Sequence, residues 1–402
     1  MPPTAQRRRR QANAWSGLAA PGWLPQTRRA LERLIRQGAG KNLPAVFDFD
    51  NTIVCGDIGE ATLAVLVRSG VVTPARVPVT LCPPFRVPGG RRITVKPCAD
   101  LTEYYEAFLA PTAHGNGDTT PLANGYVWAV EIMEGLRPWE VAHATKCAFE
   151  MSEPGQRRLI EVTPGKSAYP APFFYPEMVE LLAELLRHRF EVWIISASNV
   201  WSVRWMVLHA LNPRLRERGL DAGVRADHVV GISTLLVDRR GQLHKDAVLV
   251  RGDAAYAALE DEALRAFRLT SRLEFPAPTY SGKVARIWDL IGQRPHLCVG
   301  DSPGDHAMMS FSRHRLWIAR LEKPAYQLAT EELIHKTGPA GWIVQPTRTR
   351  GTPGFIGDLA LVSQRDKSMP AEIRRAAAAA AQLAEQARRR SRGRRSTKLA
   401  SP

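Results

Sequence analysis

Residues 43–47, Leu-Pro-Ala-Val-Phe, form an apolar run that passes directly into Asp48, Phe49, Asp50, Asn51 and Thr52. A short strand that is apolar throughout suits the centre of a parallel sheet, where both faces are covered. Alternate residues at the end of a strand point the same way, so Asp48 and Asp50 can converge on one small volume. One carboxylate is then placed to attack and the other to shuttle a proton, an arrangement that suits a phosphoryl group.

The rest of the chain supplies the sheet that such a strand needs. Residues 26–37 carry Leu31, Leu34 and Ile35 on one side, with Gly38 placed to end a short amphipathic helix. Pro176 opens a helix whose Met178, Leu181, Leu182, Leu185 and Leu186 share a face, and a strand at residues 190–195 follows it. Residues 199–211 read as a helix with Trp201, Trp205 and Leu208 on its packed side. Residues 229–237 read as one strand, turning at residues 238–241 into a return strand, and further strands fall at residues 297–300 and 316–319. Strands alternating with helices predict an α/β fold with a mostly parallel sheet, its site beyond the carboxyl ends of the strands.

The interval between the first strand and Pro176 is too long for one crossover. Its Pro and Gly clusters at residues 78–92 and 111–125 flank helices near residues 101–109 and 125–133. The expected division is therefore a basic segment at residues 1–42, an α/β core from residues 43–57 and 173–344, a mostly helical insertion at residues 58–172, and a basic Ala/Arg-rich tail at residues 345–402. The tail is expected to be an Ala-driven helix that frays.

With 402 residues, 45% of them hydrophobic, the chain is long enough for two or three packed domains. The formal net charge of +16 is concentrated at the ends: residues 1–42 hold nine Arg or Lys against one Glu, and residues 364–402 hold eleven against three acids. The body between is neutral, which argues against a dedicated nucleic-acid groove and leaves the tails as weak, non-specific polyanion contacts or a compositional bias. Five scattered cysteines without a Cys-x-x-Cys pair read as reduced thiols, neither a disulfide framework nor a zinc site. No apolar run of membrane-spanning length is present, so a cytoplasmic location and no membrane partner are expected.

Three further sites join Asp48 and Asp50. Ser196 ends the second strand and leads through Ala197 into a helix start, where a hydroxyl and backbone N–H groups make an anion site. Lys283 supplies a point positive charge, 18 residues before Asp301. Asp301 and Asp305 put two hard oxygen ligands on a loop after a strand, which suits Mg²⁺.

In these four ordered motifs the chain resembles the haloacid dehalogenase superfamily of phosphohydrolases, across residues 46–305, and within it the phosphoserine phosphatase-like branch that includes phosphorylcholine phosphatases. The resemblance implies a Rossmann-like core with a cap domain inserted after the first strand. It implies that Asp48 is the nucleophile, that Asp50 is the acid and then the base, and that Thr52 supports the loop. Thr52, Ser196, Ala197 and Lys283 would surround the phosphoryl group. Asp48, the Asp50 carbonyl and Asp301 would hold Mg²⁺, with Asp305 as acidic support. The family's glutamate after the first motif would meet a substrate amine; here that role falls to Asp57, to Glu60 or to neither, the bland reading being a helix N-terminal charge.

Tyr104, Tyr105, Tyr126, Trp128 and Trp139 read first as core of the insertion, with an aromatic cage for a quaternary ammonium as the alternative. Of His114, His143, His306 and His314, only His306 stands beside the motifs. The function expected is Mg²⁺-dependent hydrolysis of a small phosphomonoester such as phosphoserine or phosphorylcholine. The alternatives are a phosphatase of a larger or polymeric substrate docked by the tails, and a non-catalytic polyanion-binding protein with a vestigial site.

Overall fold

The computed structural model describes residues 17–86, 92–95, 101–113 and 125–360, with helical positions 382, 383, 385, 386 and 389 beyond them. Seven strands make the central sheet: β1 (Pro44–Phe47), β2 (Glu191–Asn199), β3 (Val229–Ile232), β4 (Leu297–Gly300), β5 (His314–Arg320), β6 (Trp342–Arg348) and β7 (Gly354–Phe355). Their spatial order is β7-β6-β5-β4-β1-β2-β3, and every neighbouring pair is parallel except β6 with β7. Phe47 stands level with Val299 of β4 and Ile194 of β2. The chain thus leaves the end of β1 at the point where connections run off to either side, which opens a crevice there.

Alternation along the strands fills two layers. Phe47, Ile194, Val299, Leu316 and Ile318 face the helices Pro25–Gly38 and Pro176–Arg187, through Leu31, Ile35, Met178 and Leu181. Val46, Trp193, Ile195, Cys298 and Trp317 face the opposite layer, against Ile287, Met308, Met309 and Ile334. Both faces are covered, as the apolar run of β1 requires.

Between β1 and the helix Pro176–Arg187 lie the helices Ile58–Arg68, Leu101–Ala113, Gly125–Glu131 and Pro138–Glu150, with a hairpin of Leu159–Thr163 and Ser167–Pro170. The helices share a second core with a three-stranded antiparallel sheet of Thr234–Asp238, Leu243–His244 and Phe267–Leu273, whereas Ile160 and Tyr169 of the hairpin and Ile58 and Ala61 of the first helix pack in the core of the main sheet. The chain enters and returns across a two-residue ladder, Val54 opposite Phe174 and Cys55 opposite Phe173.

Two expectations are corrected. The single strand expected at residues 229–237 is two strands in different sheets, parting at Ser233. Gly231 lies so close to the Val200 backbone that a Cβ would stand 2.6 Å from Val200 Cα, and the Ser233 carbonyl accepts from Glu274 N at 2.9 Å. The apolar alternation runs on through this bend, so the sequence reads as continuous. The sheet also extends past residue 344, into the span expected to be tail. Gln345, fully buried, accepts from Leu24 N and donates to the carbonyls of Gly22 and Ile356, which ties a Pro- and Thr-rich segment into the body. Residues 376–381 and almost all of 388–395 lie outside the described residues. Among the described residues, no helix is long and apolar enough to cross a membrane.

The amino-terminal segment is clamped by one buried carboxylate. Glu180 accepts from Ala19 N at 2.7 Å, from Ala20 N at 3.1 Å and from Trp23 Nε1 at 3.0 Å. Glu180→Ala strands these donors and is expected to cost about 2–4 kcal/mol of stability, read from urea unfolding.

Candidate active site

The loop after β1 is built to turn its carboxylates inward. Asp48 N extends the ladder to Val299 O at 2.9 Å, and the amides of Thr52, Ile53 and Val54 all reach back to Phe49 O. Asn51, with φ at +55°, donates from N to Gly56 O, and Gly56 takes φ +99°, a conformation that favours glycine. The buried Phe49 and Ile53 anchor the turn.

Asp48, Thr52, Lys283, Asp301 and Asp305 form one buried network. Lys283 Nζ donates to Asp48 Oδ1 and to Asp305 Oδ1, each at 2.6 Å. Thr52 Oγ1 lies 3.2 Å from both Asp48 Oδ2 and Asp301 Oδ1. Asp305 Oδ2 accepts from Asp301 N, Ser302 N and Ser302 Oγ, so both of its oxygens are engaged. Oxygens of Asp48, Asp301 and Asp305 lie within 4.8 Å of one another. Such a donor set is hard and anionic, and Asp301 Oδ2 makes no hydrogen bond. These residues fit a divalent cation.

Asp50 belongs to a second network. Its Oδ1 accepts from Ile58 N at 2.7 Å, and its Oδ2 accepts from Ser196 Oγ at 3.1 Å and Ser198 Oγ at 2.6 Å. Ser198 Oγ also lies 3.5 Å from Asp57 Oδ1. A Cβ on Gly59 would stand 2.5 Å from Ser198 Oγ, so the first turn of the helix Ile58–Arg68 makes room for this hydroxyl. The Asp50 carboxyl points away from the cation set, which leaves only its backbone carbonyl for that role.

A cleft of about 650 Å³ opens over both networks. Asp48, Asp50, Asp57, Ala197, Lys283 and Asp301 line it, whereas Thr52, Ser196, Glu60 and Asp305 do not. The hydroxyls of Thr52 and Ser196, expected around the phosphoryl group, are committed to Asp48, Asp301 and Asp50. Asp57 both lines the cleft and caps its helix, accepting from Glu60 N at 2.8 Å, while Glu60 accepts from Tyr105 Oη at 3.3 Å. Of the five aromatics considered for a cage, only Tyr126 reaches the cleft. Tyr104, Tyr105 and Trp128 stack in the core of the insertion, and Trp139 packs between His143 and Arg265. His306 donates to or accepts from Thr330 Oγ1 at 2.9 Å, outside the lining, and His114 lies outside the described residues.

Three lining residues carry no motif in the sequence. Arg320, at the end of β5, puts Nε 2.7 Å from Asp301 Oδ2, in charge contact but out of line for a hydrogen bond. Tyr280 and Tyr326 stand in the same wall, with the Arg320 guanidinium 5.4 Å from the Tyr326 ring centre. The strand at residues 316–319 was the available signal for Arg320, since the residue that ends a strand beside β4 must face the crevice.

Burial dominates the electrostatics. It pushes Asp48 up to about 7, helped by Asp305 and opposed by Lys283. Asp50 rises to about 8 through burial and the Asp57 charge, against the serine hydroxyls and Ile58 N. Burial likewise lifts Asp301 to about 8, against Arg320, and lifts Asp57 to about 8 and Glu60 to about 7. Burial works against the Lys283 ammonium, yet Asp305 and Asp48 outweigh it and hold the lysine charged.

No protein-family model matches the chain. Over 323 residues, 76% of this chain and 83% of the relative, it is 26% identical to the phosphorylcholine phosphatase of Pseudomonas aeruginosa. The relative and the four ordered motifs agree in what the chain is similar to, the phosphatases of the haloacid dehalogenase superfamily. A conserved protein of unknown function from Anaerococcus prevotii shares the fold, at 16% identity and a TM-score of 0.54, covering 86% of this chain and 97% of that one. A phospho-aspartyl intermediate analogue of phosphoserine phosphatase aligns more loosely, at 13% identity and a TM-score of 0.37, over 81% of this chain and 99% of that chain.

The raised carboxyls have a consequence for stability. Between the ordinary carboxylate range near 4 and about 8, the folded chain keeps protons on Asp50, Asp57 and Glu60 that the unfolded chain has released. Stability must therefore fall as pH rises through that window. Melting temperature of the metal-free protein is expected to drop from pH 5 to pH 8, and Asp57→Asn should flatten the slope; an unchanged slope counts against the shifts.

Proposed function

We propose that this phosphatase hydrolyses a small, amine-bearing phosphomonoester, such as phosphoserine or phosphorylcholine, with Mg²⁺ and through an aspartyl-phosphate. The observation that carries the reading is the separation of two carboxylates two residues apart: Asp48 is held against Lys283, and Asp50 is held against Ser196 and Ser198. Asp48 attacks phosphorus and the ester oxygen leaves with a proton from Asp50. The same Asp50 carboxylate then takes a proton from the water that opens the acyl phosphate. A carboxyl raised to about 8 holds its proton at neutral pH, as the first step needs. Ile58 N and the two serine hydroxyls keep it oriented.

Lys283 compensates charge on the transferring phosphoryl group, and the amide of Ala197, which lines the cleft, adds to it, whereas the Ser198 amide is taken by Ser196 Oγ at 3.0 Å. Asp48, Asp301 and the Asp50 carbonyl would hold Mg²⁺, with Asp305 as a buttress that positions Lys283 and the Asp301 backbone. When bound, the cation polarises phosphoryl oxygens and neutralises charge on the transferring group.

The amine end of the substrate is supported by Asp57, Tyr126, Tyr280 and Tyr326, which set a carboxylate beside aromatic faces in the same cleft. A phosphorylcholine phosphatase as relative agrees with that choice. Residues 58–172 act as the cap, closing over the substrate and excluding bulk water.

Asp48→Asn is expected to lower kcat on a generic phosphate ester by about 10³-fold or more while circular dichroism stays unchanged; retained turnover overturns the nucleophile. Chelation with EDTA should abolish activity and Mg²⁺ should restore it. On a panel of phosphoserine, phosphorylcholine, phosphoethanolamine, sugar phosphates and nucleotides, the amine-bearing esters should show the highest kcat/KM.

A further inference from the structure

A second cavity, of about 450 Å³, lies further along the helix that carries Lys283 and shares no lining residue with the cleft. It is bounded by the helices Val200–Trp205, Asp246–Gly252 and Ser281–Ile291 and by β3, and its charged lining is Arg204, Arg251, Arg286, Asp227, Asp246 and Glu274. The formal charges balance, but the pairing does not.

Every acid in this lining already has a donor. Asp246 is gripped by both terminal nitrogens of Arg204, at 3.0 and 2.6 Å, and accepts from Tyr256 Oη at 2.8 Å. Asp227 holds a two-pronged pair with Arg225 at 2.9 and 2.6 Å. Glu274 Oε1 accepts from Asp246 N at 2.7 Å and so caps the helix that follows. Arg204 is therefore spent on Asp246, and Arg251 and Arg286 are left with one further carboxylate between them, Glu274, which makes a close ion pair with neither.

Arg286 is only 9% exposed, yet it makes no close ion pair. Its nearest carboxylate is the exposed Asp289 at 3.8 Å, its one hydrogen bond is a 3.4 Å contact to Glu274 O, and its buried Nε has no partner. Arg251, exposed at the same cavity, pairs with no carboxylate among the described residues. A buried guanidinium without an anion is costly, and a second one beside it adds to the surplus.

We propose that this cavity is a second anion-binding site, in which Arg286 and Arg251 hold a small oxyanion of the phosphate type. Planar forks of N–H donors suit tetrahedral oxyanions, and Ser233, buried in the same wall, adds a hydroxyl. The site is distinct from the cleft and rests on none of the catalytic roles assigned there. Its occupant touches the helix that presents Lys283 one turn before Arg286, and the helix that begins just after Ser198.

The test is equilibrium dialysis of the full-length, metal-free protein against radiolabelled inorganic phosphate. Wild type should bind phosphate at a component that Lys283→Met, in the cleft, leaves in place and that Arg251→Gln/Arg286→Gln removes or weakens by about tenfold or more. Hydrogen exchange supplies a second reading: added phosphate should protect residues 246–252 and 281–291 in the Lys283→Met variant. Equal phosphate binding by wild type and the double arginine variant, or no protection of those helices, overturns the site. If the double variant does not fold, Arg286→Lys is expected to fold and to bind phosphate more weakly, and unchanged affinity there has the same adverse meaning.

Discussion

Lys283 bridges Asp48 and Asp305, and the rest of the site depends on that bridge. Three carboxylates with oxygens within 4.8 Å of one another cannot all be charged in a buried place without a cation among them. The fold supplies one from the adjacent helix Ser281–Ile291, and Arg320 supplies another beside Asp301. The sheet order follows from the same requirement, because only neighbouring parallel strands bring the ends of β1, β4 and β5 side by side. The repulsion that remains among these acids is what a bound divalent cation would relieve, so the strength of such a site is tied to the cost of burying its ligands.

Much of this was legible in the sequence, for a physical reason. Asp48, Asp50, Ser196, Lys283 and Asp301 each sit where a strand ends or a helix begins, and periodicity locates such places well. The helices Pro25–Gly38 and Pro176–Arg187 followed their apolar faces closely. Ranking the aromatics of the insertion as core before cage also agrees with how Tyr104, Tyr105 and Trp128 pack.

What the sequence did not disclose depends on contacts between distant segments. Ser198 stands in the second motif, but its contact with Gly59 exists only because the end of β2 meets the first turn of the helix Ile58–Arg68. Arg320 looks like any basic residue closing an apolar strand, and its cleft position follows only from the pairing of β5 with β4. The β6 segment was hidden by composition, since Pro346 and its Thr and Gly neighbours read as a loop. The ladder to β5 holds it in the body, and the buried Gln345 ties it to the amino-terminal segment.

The ladder of Val54–Cys55 with Phe173–Phe174 has one more implication. Because both crossings of the chain lie side by side, the segment between them joins the sheet at one place, as a cassette whose helices also share a core with the strands Thr234–Asp238 and Phe267–Leu273. The amide of Ile58, the first helical residue of that cassette, holds Asp50. Any movement of this segment that displaces Ile58 therefore also withdraws a donor from the Asp50 carboxyl, which couples the packing of the segment to the state of the cleft.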